Sequence, residues 1–149
     1  GVINGIYSAI NLLKNTPNSL CLNTASSTAV IGLPMTSVYS ASKHAVKGLT
    51  ESLSAEFSRF DTRVSDILPG VIDTPLIGEE IRINLPKEGM WRLIPAGEIA
   101  KTALRAYYET RLHWYVPEDL EELEMSVVKD PINTRNDLMN TGPMKMPIE

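Results

Sequence analysis

Ser19-Leu20-Cys21-Leu22-Asn23-Thr24-Ala25-Ser26-Ser27 is a short apolar run that ends in small hydroxyl residues, the pattern of a buried strand opening into a loop. Downstream, Arg63-Val64-Ser65-Asp66-Ile67-Leu68-Pro69-Gly70 reads as a second strand, halted by Pro-Gly. Between the two, residues 37–60 carry Ala41, Ala45, Leu49, Leu53 and Phe57 at i+4 spacing, the stripe of a helix face packed on a sheet or on another helix. A strand-helix-strand order joins parallel strands by a right-handed crossover. The fold class is therefore α/β.

The same punctuation organises the rest of the chain. Val2, Ile3, Ile6, Ile10 and Leu13 recur at helical spacing, so a helix over residues 2–14 is expected, ending near Pro17. A loop holding Gly32 and Pro34 precedes the long helix. Residues 75–95 lose periodicity and mix charges with Ile77, Ile81, Leu85, Met90 and Trp91, which reads as a mobile lid. A helix over 97–111 follows Pro95, then a last strand His113-Trp114-Tyr115-Val116 before Pro117, then an acidic helical turn or two over 118–124. From about 130 to 149 the chain holds three prolines and few apolar anchors, so an irregular tail is expected. No repeat, low-complexity tract or linker divides residues 1–149, which read as a single domain. The chain opens on Gly1, already inside a helix, and the expectation is a partial domain cut from a longer protein.

Composition bounds the function. Of 149 residues, 43% are hydrophobic and 21% charged, ordinary for a globular chain, and the net charge of -4 gives no basic footprint for nucleic acid or an acidic membrane. No apolar stretch reaches the ~20 residues that span a bilayer, and no leader is legible, so a cytoplasmic protein is expected. The one cysteine, Cys21, has no partner for an internal disulfide and reads as a small buried hydrophobe in a reducing compartment.

Chemistry concentrates in Tyr39-Ser40-Ala41-Ser42-Lys43. Side chains four apart on a helix lie one above the other, so the phenol of Tyr39 and the ammonium of Lys43 share one site. A free tyrosine is almost wholly neutral near pH 7, and a neighbouring positive charge favours the phenolate. Such a pair can give and take a proton at a hydroxyl-bearing carbon.

Three motifs in order, Asn23-Thr24-Ala25-Ser26, Tyr39-Ser40-Ala41-Ser42-Lys43 and Pro69-Gly70-Val71-Ile72-Asp73-Thr74, with Ser26 thirteen residues before Tyr39, resemble the C-terminal part of a short-chain dehydrogenase/reductase. The resemblance runs over about residues 1–118. It implies the C-terminal half of a doubly wound, Rossmann-like parallel sheet and an NAD(P)-dependent oxidoreductase that interconverts an alcohol and a carbonyl. It makes Tyr39 the general acid/base, Lys43 its activator and a ligand of the nicotinamide ribose, and Ser26 the group that orients the substrate oxygen. Pro69 and Gly70 would pass close to the nicotinamide, and Ile72 and Thr74 would meet its carboxamide or phosphate side. NAD or NADP is the implied cofactor, a small alcohol or carbonyl the implied substrate, and a homo-oligomer through helices 2–14 and 37–60 the implied assembly. The family's glycine-rich phosphate loop has no counterpart in these residues, and its helix asparagine falls before Gly1 rather than at Asn4. The strand at 20–25 would then lack its neighbour and leave an apolar edge, and the 149 residues alone are expected to be silent.

Plainer readings stand beside these. Ser26 could satisfy backbone groups in its loop, Pro69-Gly70 could be an ordinary turn, and Thr74 could cap one. His44 and His113 have no partners at metal-ligand spacing and read as core or surface residues. Met90 and Trp91 either line an apolar substrate pocket or cover core. A serine hydrolase lacks its Gly-x-Ser-x-Gly elbow here. A truncated remnant that acts only in subunit association is the remaining alternative.

Overall fold

The computed structural model describes residues 1–141. Helix α1 (Val2–Asn15) leads into β1 (Ser19–Thr24), a 3-10 turn (Ser27–Ala29), α2 (Ser37–Phe57) with a further 3-10 turn (Ser58–Phe60), and β2 (Thr62–Pro69). Then come β3 (Ile72–Asp73), α3 (Glu79–Asn84), β4 (Ile94–Pro95), α4 (Ala96–Tyr108), β5 (His113–Val116), α5 (Asp119–Lys129) and α6 (Pro131–Thr141).

The main sheet has the order β1-β2-β5, all parallel, with Ser19 opposite Thr62 and Asp66 opposite His113. The central strand is the most deeply buried, because helices cover both of its faces, as a parallel sheet requires. On one face Leu68 and Tyr115 pack with Leu120, Leu123, Leu138 and the Ala25–Ile31 turn. On the other, Ile67, Trp114 and Val116 pack with Ile94 and Ala106. β1 is half-buried along most of its length and forms one edge of the sheet.

Two loops are tied before the strands begin. Asp61, with φ 54°, accepts the backbone N–H of Asn18 at 2.7 Å and so aligns the starts of β1 and β2. Arg63 reaches from β2 to the carbonyls of Ala106, Tyr107 and Glu109, which are the unpaired acceptors at the end of α4.

Several expectations need correcting. Ala41 and Ala45 do not pack on the sheet: they are exposed, and the covered face of α2 is instead Ser40, Thr50 and Phe57. Hydrogen bonding makes that polar face buriable, since the Thr50 hydroxyl donates to Val46 O and accepts from Asn23 Nδ2 at 2.9 Å. Leu49 and Leu53 line a groove against α1 with Ile3, Ile6 and Ile10. The segment 75–95, which lacks clear periodicity, holds α3 and ends in β4, whose Ile94 and Pro95 pair in parallel with Ile72 and Asp73 of β3. The acidic turn at 118–124 continues as a helix to Lys129, and α4 stops at Tyr108.

The tail expected to be irregular is helical over Pro131–Thr141; residues 142–149 lie outside the described residues. Pro131 occupies the first helical position, where its missing N–H costs nothing, and the Asp130 carboxylate accepts the Asn133 backbone N–H at 3.1 Å. Leu138 then anchors α6 in the core.

Candidate active site

The carboxyl ends of β1 and β2, adjacent parallel strands, carry most of the expected site residues. Ligands in open α/β sheets bind outside such strand ends. β1 delivers Ser26 two residues beyond its last paired position. Ser26 is 7% exposed and caps the 3-10 turn, its Oγ accepting the Thr28 backbone N–H at 3.2 Å. A hydroxyl that accepts this bond still has its own proton to donate.

Tyr39 and Lys43 stand one turn apart near the start of α2. Tyr39 is 46% exposed, and the Lys43 ammonium lies 5.6 Å from its ring centroid. Lys43 Nζ donates to the Thr24 carbonyl at 2.9 Å, which draws α2 and the end of β1 together two residues before Ser26. The loop that turns the chain into α2 is fixed by Thr36, whose backbone N–H and hydroxyl both donate to Leu33 O, while its Oγ1 lies 3.0 Å from Ser40 Oγ.

Pro69 ends β2 opposite Val116, and the Gly70 N–H donates to Val116 O at 2.7 Å. A Cβ at Gly70 would sit 3.2 Å from Pro117 Cδ and 3.3 Å from Val116 O, so the backbone approaches closely here because there is no side chain. Ile72 pairs in β3, and Thr74 follows it, its hydroxyl within 3.4 Å of Ile72 O. Thus Lys43, one turn from Tyr39, is hydrogen-bonded to the end of β1 two residues before Ser26, and Pro69-Gly70 lies on the neighbouring strand end. Ile72 and Thr74 belong to the separate β3–β4 pair. The exposed Tyr39 phenol, the Lys43 ammonium beside it and the Ser26 hydroxyl are hydrogen-bonding groups of the kind a nicotinamide nucleotide and its ribose would need, whereas the space left at Gly70 is taken by Val116 and Pro117.

Beneath α2 lies a network that residue spacing did not reveal. Asp66 is fully buried on β2 and faces His113 across the strand pair, with Oδ1 to Nδ1 at 2.8 Å. His113 Nε2 is 3.4 Å from Glu51, and Lys47 joins Glu51 at 3.1 Å to Glu124 at 2.7 Å. Tyr115 donates to Glu124. Burial pushes the Asp66 carboxyl above its ordinary value despite the His113 contact. Burial also pushes Glu124 up, but the Lys47 and Tyr115 hydrogen bonds outweigh it and hold that carboxyl below the usual range. Burial and the Glu124 contact both raise the Tyr115 phenol. Only parallel register brings Asp66 and His113 together, so sequence spacing carried no signal for them. Among the described residues no His/Cys/Asp/Glu group is arranged to hold a metal, and no helix is long and apolar enough to cross a membrane.

Known proteins share this fold. A short chain dehydrogenase from Burkholderia cenocepacia, solved in complex with NADP, superposes with a TM-score of 0.70 at 26% identity over 93% of this chain and 54% of that one. A 3-oxoacyl-[acyl-carrier protein] reductase with bound NAD from Brucella melitensis gives 0.63 at 27% identity, over 77% of this chain and 45% of that one. In sequence, levodione reductase of Leifsonia aquatica is 32% identical over 82 residues, 55% of this chain. The match covers 31% of that relative, so the chain spans about a third of its length. Residues 1–83 match the family model described as short chain dehydrogenase, and the chain belongs to that family.

Proposed function

We propose that the chain is the catalytic half of an NAD(P)-dependent oxidoreductase that interconverts an alcohol and a carbonyl. The observation that carries this reading is the Lys43–Thr24 hydrogen bond, which joins the Tyr39 helix to the Ser26 strand end. A bound nicotinamide nucleotide supplies or accepts the hydride at the substrate carbon. Ser26 donates its hydroxyl proton to the substrate oxygen and holds it beside Tyr39, which is positioning rather than nucleophilic attack. In the reducing direction Tyr39 Oη gives its proton to the developing alkoxide, and in the oxidising direction takes it back. Lys43 keeps a positive charge beside the phenol and turns from the Thr24 carbonyl to the nicotinamide ribose. Pro69, Gly70, Ile72 and Thr74 form the wall against the nicotinamide and its carboxamide or phosphate side.

No phosphate-cradling glycine loop occurs in these residues, so activity is expected only once a family N-terminal half precedes Gly1. The test is carbonyl-dependent oxidation of NADH and NADPH by this chain alone and by a chimera carrying the first half of a relative. The chimera should turn over small ketones, with Tyr39→Phe lowering kcat by about 10²–10⁴-fold. Full turnover by Tyr39→Phe would remove the assignment.

A second element of the reading is association. Ile3, Tyr7 and Leu12 on α1 are 70%, 79% and 73% exposed, and no residue of that helix is buried. An apolar helix whose Ile3, Tyr7 and Leu12 face solvent, beside the half-covered Leu49 and Leu53 of α2, supports a homo-oligomer through α1 and α2.

A further inference from the structure

The segment between β3 and β4 is held unevenly. Its C-terminal end is fastened by packing, since Met90 and Trp91 lie against the core and the Ile94 N–H donates to Val71 O at 2.9 Å. Its middle is not: α3 has no buried residue, and Leu76, Ile81 and Ile83 face solvent. A six-residue helix without a covered face is not stable by itself.

Arg82 supplies what packing does not. From α3 its guanidinium reaches back to the loop that leaves β3, where Nη1 binds the Asp73 carboxylate and Nη2 donates to Thr74 O at 3.2 Å and Ile77 O at 3.3 Å. The Ile77 N–H donates to Thr74 O at 3.0 Å, so the two carbonyls that Arg82 gathers are already the ends of one turn. Glu79 adds a weaker contact at 3.8 Å to Nε. A planar fork with five donors can hold three acceptors of fixed geometry at once; a lysine ammonium on its flexible stem cannot hold them in one plane.

We infer that Arg82 is a positioning residue that makes the Asp73–Ile77 loop and α3 a single flap, so that Thr74 is held at the nicotinamide end of the site. This rests on the oxidoreductase reading for its consequence, though not for the clamp itself. With Arg82 in place, lid helix and Thr74 move together, and the loop meets the cofactor already ordered. Without it, cofactor binding must order the loop, which weakens binding but leaves proton transfer at Tyr39 untouched.

Hydrogen exchange of the 149-residue chain reads the clamp, and kinetics of the active chimera reads its consequence. In Arg82→Gln the Ile77 and Arg82 amides should exchange at least about tenfold faster, a difference near 1.4 kcal/mol, while the Ala25 amide, bonded to Ile67 O, stays protected. The KM for the nicotinamide nucleotide should rise severalfold with kcat nearly unchanged, and Arg82→Lys should restore only part of both effects. Unchanged exchange in Arg82→Gln, or faster exchange throughout the chain, would overturn the clamp. Local loosening with an unaltered cofactor KM would overturn the positioning role. A chimera without turnover counts against the oxidoreductase reading, and the exchange pattern then decides the clamp alone.

Discussion

Single side chains on the underside of α2 set opposite pH dependences. Glu124 titrates below its ordinary 4.5 because Lys47 and Tyr115 stabilise its anion more than burial penalises it. Its contribution to stability is therefore fully present above pH 4.5 and is lost as the pH falls through the depressed folded value. Asp66 runs the other way: its carboxyl is raised, so it favours the fold when protonated and weakens it as the pH climbs from 3.8 through the folded value. Glu124→Gln should accordingly lower the melting temperature at neutral pH, with the gap to wild type narrowing as the pH falls below 4.5. A gap of constant size from pH 3 to pH 7 would show that Glu124 acts through packing alone. At this scale the sequence was legible where chemistry is local: Tyr39 and Lys43 four apart, Ser26 at a strand end. It was silent on Lys47–Glu124, whose partners meet only when α2 and α5 pack, and on Asp66–His113, whose partners meet only when β2 and β5 take their register.

Among the elements, the two pairing strands and the first two helices were readable from periodicity and from Pro and Gly punctuation. The face of α2 was not. An apolar stripe is the normal marker of a packed face, but here the covered face of α2 mixes Phe57 with the hydrogen-bonded hydroxyls of Ser40 and Thr50, and Ala41 and Ala45 look outward. α6 was missed because three prolines suggested broken chain, although Pro131 begins a helix rather than interrupting one. Leu138 is the residue through which α6 meets Tyr115, Leu120 and Leu123. Leu138→Ala should cost about 2–3 kcal/mol in urea unfolding, near the lower end of large-to-small core substitutions because the site lies at the rim of the core. A loss below about 0.5 kcal/mol would mean that α6 does not pack there in solution.

For the molecule as a whole, part of the exposed apolar surface adjoins the β1 edge of the sheet. Among the described residues β1 has a strand neighbour only on its β2 side, and α1 beside it exposes Ile3, Tyr7 and Leu12. An open parallel edge and an uncovered helix face both favour association. The chain should sediment as a concentration-dependent oligomer, and the double substitution of Ile3 and Tyr7 to Glu should shift it toward the monomer without altering its circular dichroism. A wild-type chain that stays monomeric at high concentration would leave α1 with some other use.

The central place of β2 also governs how this chain reaches its structure. Ser19 and Thr62, joined by a hydroxyl contact at the start of the β1–β2 pair, are 43 positions apart, and Asp66 and His113, joined across β2 and β5, are 47 apart. No neighbouring hairpin can nucleate such a sheet, because each strand pair closes only after an intervening helix has formed and docked. Helical segments are therefore expected to gain structure first and the sheet to assemble late, on the slow timescale of folds dominated by distant contacts. During that interval β2, the central strand, is bare on both edges, which makes the nascent sheet rather than the finished one the stage most exposed to misassembly.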